Sequence, residues 1–162
     1  MMVKLLGTAM FISCGAMMGA SKLREEKETI ANLEKIIRGL GILEGEIKLC
    51  SRPLPDAFEK MALEAGELFS PLAENCRNMS AAEVWEKWME EQSLPYAAME
   101  IMKSLGGVLG QYDGERQAVE IMAVRIGLGE IRDGIREKMN SSSKHYPLMG
   151  ACFAGIAAMM II

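Results

Sequence analysis

Lys4 is the only Lys, Arg, Asp or Glu outside the stretch from Lys22 to Lys144, and the flanks Leu5 to Ser21 and Tyr146 to Ile162 each run 17 residues with no acidic or basic side chain. A charged block between two charge-free ends describes a domain held by two membrane-inserting segments. Each flank, if helical, rises roughly 25 Å at about 1.5 Å per residue, slightly less than the ~30 Å hydrocarbon core of a bilayer. The expected organisation is an N-terminal transmembrane segment over 1–21, a central domain over 22–145, and a C-terminal transmembrane segment over 146–162.

The block is long enough to bury one core. It holds 17 basic residues, all but Lys4 of the chain's 18, against all 22 acidic ones, a formal net charge of −5. Nucleic-acid binding needs a basic face to displace counterions from phosphates, and this balance excludes it as a working function. Lys22, Arg24 and Lys27 follow the first flank and Arg136, Lys138 and Lys144 precede the second, whereas the outer ends carry only Lys4. Basic residues are retained on the cytoplasmic side, so the domain is expected in the cytoplasm with both termini outside. Two other readings of the N-terminal flank place the domain outside the cell: a cleaved signal peptide, or a lipoprotein signal ending at Cys14. An extracytoplasmic structural lipoprotein is therefore an alternative function, and a ligand-binding helical sensor is another.

Proline and glycine cut the block into helical pieces, and no stretch alternates with the period of a strand. The predicted fold is all-α, roughly six helices, with long first and last helices packed antiparallel. From Lys22 to about Leu49, Leu23, Ile30, Leu33, Ile37, Leu40 and Ile47 form an apolar seam ending before Ser51-Arg52-Pro53. A second helix carries Leu54, Phe58, Met61 and Ala65 to Gly66, and a third, around Leu68 to Asn78, holds Leu72 and Cys76. Ser80-Ala81-Ala82-Glu83 reads as a capping box opening a fourth helix with Val84, Trp85 and Trp88. Pro95 restarts a fifth, with Met99, Met102, Leu105 and Leu109, and Asp113 caps a sixth, whose Ile121, Val124, Leu128, Ile131 and Ile135 want a partner helix. Asn140 to Ser143 then read as a linker.

No nucleophile and base, metal cluster or phosphate loop stands out, and no cofactor is expected. Cys14, Cys50, Cys76 and Cys152 form no CxxC pair and the only histidine is His145. A Cys50–Cys76 disulfide is open on arithmetic alone, with nothing in the spacing to favour it over reduced thiols. Gly106-Gly107-Val108-Leu109-Gly110 lacks the Lys-Ser/Thr of a P-loop and reads as close helix packing or a helix end. Steps of seven from Leu23, Ile30 and Ile37 place Glu44 in the first seam, where a carboxylate needs a cation; pairing with an arginine such as Arg125 and a partner-binding role are both open. In the flanks, Gly15 with Gly19 and Ala151 with Gly155 give small faces on which transmembrane helices approach closely.

The chain carries, in order, Leu40-Gly41-Ile42-Leu43-Glu44-Gly45-Glu46-Ile47, Pro53-Leu54, Ala57-Phe58, Trp85, Glu100-Ile101, Leu105-Gly106, Leu109-Gly110, Asp113 and Gln117, with Tyr146, Gly150 and Gly155 near the end. In these residues it resembles the stage III sporulation protein AB family. The resemblance implies a helical cytoplasmic domain similar to those of type II secretion and type IV pilus inner-membrane platform proteins. It further implies a non-enzymatic subunit of the assembly joining mother cell and forespore, with a cytosolic secretion-type ATPase and other channel subunits as partners. Glu44, Glu46, Gly110, Asp113 and Gln117 are the contacts carried over by resemblance, and self-association is left open.

Overall fold

A computed structural model describes the backbone of residues 2–159 and the side chains of residues 21–141. Among the described residues there are six α-helices, α1 (Met2–Cys50), α2 (Leu54–Ala65), α3 (Ser70–Asn75), α4 (Ala81–Glu90), α5 (Tyr96–Gly106) and α6 (Gly114–Met159), with a short 3₁₀ turn at Glu67–Phe69 before α3 and no strand. The chain divides into two compact units, Thr29–Asp133 and the paired ends Met1–Glu28 with Gly134–Ile162. The two expected spans, with their small faces at Gly15, Gly19, Ala151 and Gly155, fall on side chains outside the described residues, Ser21 excepted. Among the described residues, no helix is long and apolar enough to cross a membrane.

Local chemistry sets the helix ends in the Thr29–Asp133 unit. Pro53 takes the N-cap of α2 with φ −58° and ψ 145°, and Gly66 closes that helix at φ 114°, a conformation glycine adopts without steric cost. The capping box forms as expected: the Glu83 amide donates to Ser80 Oγ at 3.3 Å, and the Ser80 amide donates to Glu83 Oε2 at 3.1 Å. Pro95 starts α5. α5 ends at Gly106, so Leu109 falls beyond the helix expected to carry it, and the chain then turns at Gly110, φ 77°. The stretch Asn140–Ser143 differs from expectation: the backbone of α6 stays helical through it. Asn and Ser lower helix propensity only modestly, and neither glycine nor proline falls within those four positions.

The core is centred on aromatic side chains. Trp85 and Trp88 rings lie 5.1 Å apart and Phe69 stands 5.4 Å from Trp88, all in tilted contact. Both indole N–H groups are satisfied inside, Trp85 Nε1 donating to the Met102 carbonyl at 3.0 Å and Trp88 Nε1 to the Leu68 carbonyl at 2.8 Å. Such pairing removes the penalty of burying a polar ring edge. Phe58, Met61, Leu72, Met102 and Leu105 complete the interior. Cys76 is buried and Cys50 exposed, and both are free thiols.

In this unit α1 and α6 run antiparallel, as the seams suggest: Gly114 lies against Ile47, and Arg125 against Gly41 and Glu44. The buried arc of α1 is rotated from expectation. Ile36 and Leu43 are fully buried, while Ile37 is half-buried and Glu44 sits at the edge of the arc. The cause is a second set of neighbours. Phe69 presses on the backbone of α1 at Gly39, where an added Cβ would stand 2.5 Å from its Cζ, and this draws the buried face away from Ile37.

Candidate partner-docking corner

The end of α1, the start of α2 and the loop from α5 into α6 meet at one corner, and most of the residues implicated by resemblance gather there. Gly110 brings its Cα region near Leu54, where a Cβ would lie 3.5 Å from Cδ1. Ser51 turns the chain between α1 and α2 at φ 48°, a left-handed conformation that costs a side-chain-bearing residue energy. That turn lets the Arg52 amide donate back to the Glu46 carbonyl at 3.3 Å. The Arg52 side chain returns to the same residue, Nε lying 2.9 Å from Glu46 Oε2 as a charge contact outside hydrogen-bond geometry. A depression of about 330 Å³ opens between Ile47, Arg52, Leu54 and Gly114.

Gln117 is the one buried polar residue among those described, and its amide is spent inside the corner. The Gly110 amide donates to Gln117 Oε1 at 3.4 Å, while Gln117 Nε2 donates to the Tyr112 carbonyl. The side chain thus latches the α5–α6 loop onto α6. Asp113 accepts the Gln117 backbone amide through its carbonyl at 3.1 Å, which starts α6, and its side chain is on the exposed surface. Arg116 lies over the Tyr112 ring, its guanidinium carbon 4.0 Å from the centroid.

Glu44 stands apart from this cluster. Its Oε2 is 3.1 Å from Arg125 Nη2 on α6, the internal pairing that the seam argument left open. The carboxylate side chain is 15% exposed and the arginine 38%, so the pair is partly screened by solvent. Arg125 Nε is buried without a hydrogen-bond partner, which leaves the guanidinium dependent on Glu44. Neither the pairing of Arg52 with Glu46 nor the latch at Gln117 is among the sequence expectations. Arg52 had a signal, a cation six residues beyond Glu46 at a proline-marked helix end; the latch depends on a loop path that no local pattern encodes.

Among the described residues, no three His, Cys, Asp or Glu side chains come together as a metal site. Glu90, the last residue of α4, and Glu91 just beyond it are exposed. The fold and this corner define an all-helical scaffold whose polar groups are committed to holding turns and helix ends. The family model for stage III sporulation protein AB matches residues 4–162, and the chain belongs to that family. A solved structure of stage III sporulation protein AB (SpoIIIAB) is similar at a TM-score of 0.62 and 23% identity, covering 70% of this chain and 97% of that one. At that identity the likeness speaks for the fold. A comparison with curated proteins found no match.

Proposed function

We propose that the chain is a non-enzymatic platform subunit of a secretion-like channel complex between mother cell and forespore. It is anchored in the cell membrane by both charge-free flanks and presents its helical domain to the mother-cell cytoplasm at the outer forespore membrane. There it docks a cytosolic secretion-type ATPase and contacts other channel subunits. Membership of a stage III sporulation family supports the setting. The observation that carries the docking role is the convergence of Glu46, Gly110, Asp113 and Gln117 on one corner beside a surface depression. The anchoring rests on the sequence, on 17 residues at either end without a charge.

The test is a pull-down of the ATPase with Glu46→Lys, which is expected to weaken binding several-fold while leaving helicity intact. Unchanged binding removes Glu46 from the interface. Since Arg52 pairs with Glu46, the exchange Glu46→Lys with Arg52→Glu restores an internal ion pair of reversed polarity. Binding that stays weak in this double variant assigns the effect to the reversed charges at the corner, and recovered binding assigns it to the shape of the corner. Protease access to residues 22–145 in sealed inside-out vesicles tests the side of the membrane; protection there would overturn the cytoplasmic placement.

A further inference from the structure

Helix α6 carries an apolar stripe that its own bundle does not cover. Val119 is 56% exposed, Met122 40% and Ile126 54%, and Ala123 beside them is exposed as well. Steps of three and four put these side chains on one face, opposite the buried Ile121, Val124 and Leu128. The stripe is flanked on one side by two exposed charges of opposite sign, Arg116 and Glu130, placed seven residues before and seven residues after Ala123.

The geometry points to a second copy of this chain as the occupant, seated antiparallel along α6 with a twofold axis at Ala123. In antiparallel helix pairs, flanking positions on one side meet their equivalents on the same side of the other helix. Arg116 of each copy then faces Glu130 of the other, giving two symmetry-related ion pairs about 21 Å apart at about 1.5 Å per residue. Val119 meets Ile126, Ala123 meets itself and lets the helices close, and on the other flank Met122 meets Met122 while Glu115 meets Gly129, so no like charges are opposed. A parallel arrangement would set Arg116 against Arg116 and Glu130 against Glu130. An isologous contact of this kind closes at a dimer. It draws Arg116 from its place over the Tyr112 ring but leaves Glu46, Arg52 and Gln117 of the docking corner outside its ion pairs, and no ATPase enters its test, so either proposal can fail alone.

The full-length chain in detergent is expected to show a concentration-dependent monomer–dimer equilibrium by sedimentation. Arg116→Glu or Glu130→Arg alone should weaken dimerisation at least about tenfold, which corresponds to roughly 1.4 kcal/mol. An equimolar mixture of the two variants should recover it, because every Arg116–Glu130 contact is again between opposite charges. In a chain with Cys14, Cys50 and Cys152 changed to Ser and Cys76 to Ala, a short bis-maleimide should join two copies through Ala123→Cys and not through Lys87→Cys. Circular dichroism checks that each variant stays helical. The inference is overturned by a chain that stays monomeric at all concentrations, by charge variants that dimerise like the parent, by a mixture that does not recover, or by cross-linking at position 123 no faster than at position 87.

Discussion

Alanine placed at two glycines of the same helix should move stability in opposite directions. Gly39 and Gly45 both lie in α1, six residues apart, and glycine to alanine in a helix interior is worth about 1 kcal/mol of added stability from backbone entropy alone. At Gly45 a new Cβ meets no atom within 4 Å, so Gly45→Ala should realise most of that gain. At Gly39 the same methyl would lie 2.5 Å from Phe69 Cζ and 2.7 Å from Cε2. The ring has little room to retreat, since Phe69 is fully buried and Trp88 stands 5.4 Å from its centroid. Overpacking of this kind costs about 1–3 kcal/mol, so the net effect of Gly39→Ala is a loss of about 0–2 kcal/mol. The two variants should therefore differ by about 1–3 kcal/mol. Urea denaturation of the full-length chain reads this as a shift in midpoint at constant slope. Adding Phe69→Leu to Gly39→Ala should be less harmful than the sum of the two single changes, because the smaller side chain vacates the space the methyl needs. Equal stabilisation by both alanines, or strict additivity with Phe69→Leu, would refute the contact between Phe69 and Gly39.

Three further outcomes follow from the same structure. Ser51→Gly should raise the urea midpoint by the equivalent of about 1 kcal/mol, since glycine accepts the left-handed turn between α1 and α2 without a Cβ clash. Gln117→Met should cost about 1–2 kcal/mol and speed amide exchange at Gly110, whose N–H loses its acceptor. Burial raises the Cys76 thiol above its ordinary value, so above about pH 8.5 the unfolded chain releases that proton while the folded one retains it, and stability falls with rising pH. Cys76→Ala should flatten that alkaline decline in a pH series of melts, and in a chain with Cys14 and Cys152 changed to Ser, a thiol reagent should modify exposed Cys50 well before Cys76.

What could be read from the sequence was what short-range chemistry decides. Pro53, Gly66, the Ser80–Glu83 box and Pro95 mark helix ends because each acts within one turn of itself, and all four stand where that chemistry puts them. The tryptophan helix was legible for the same reason that it is central: two large rings on one face have nowhere else to go. The first seam was legible only in part. Ile30, Leu33, Leu40 and Ile47 are buried as a spacing argument predicts, but the choice of Ile36 and Leu43 over Ile37 depends on Phe69 arriving from thirty residues downstream at Gly39. A small residue in a helix carries no label saying which ring will use the space. At the corner, the sequence located the right segments through resemblance yet could not assign Gln117 its two backbone partners, since these are created by the loop it holds.

Glu44 and Glu46 illustrate how neighbours on one helix acquire different prospects. Two residues apart, they project about 200° from each other around α1, so Glu44 reaches Arg125 on α6 while Glu46 reaches Arg52 at the turn. Any cationic group on a docking partner would compete with an arginine already in place at both sites. The contest differs at the two carboxylates. Removing Glu44 from Arg125 would strip the carboxylate from a guanidinium whose Nε is already without a hydrogen-bond partner, whereas Arg52 is 47% exposed at a chain reversal and can turn to water at small cost. At that turn the Arg52 side chain is also more accessible than Glu46, which is 14% exposed, so an approaching surface meets the guanidinium first. Under the docking proposal, Arg52→Glu should therefore weaken ATPase capture at least as much as Glu46→Lys, and the effect should shrink as salt is raised toward the regime where the Debye length is about 3 Å. Capture that is indifferent to Arg52 but sensitive to Glu44 would move the contact off the corner and onto the α1–α6 seam.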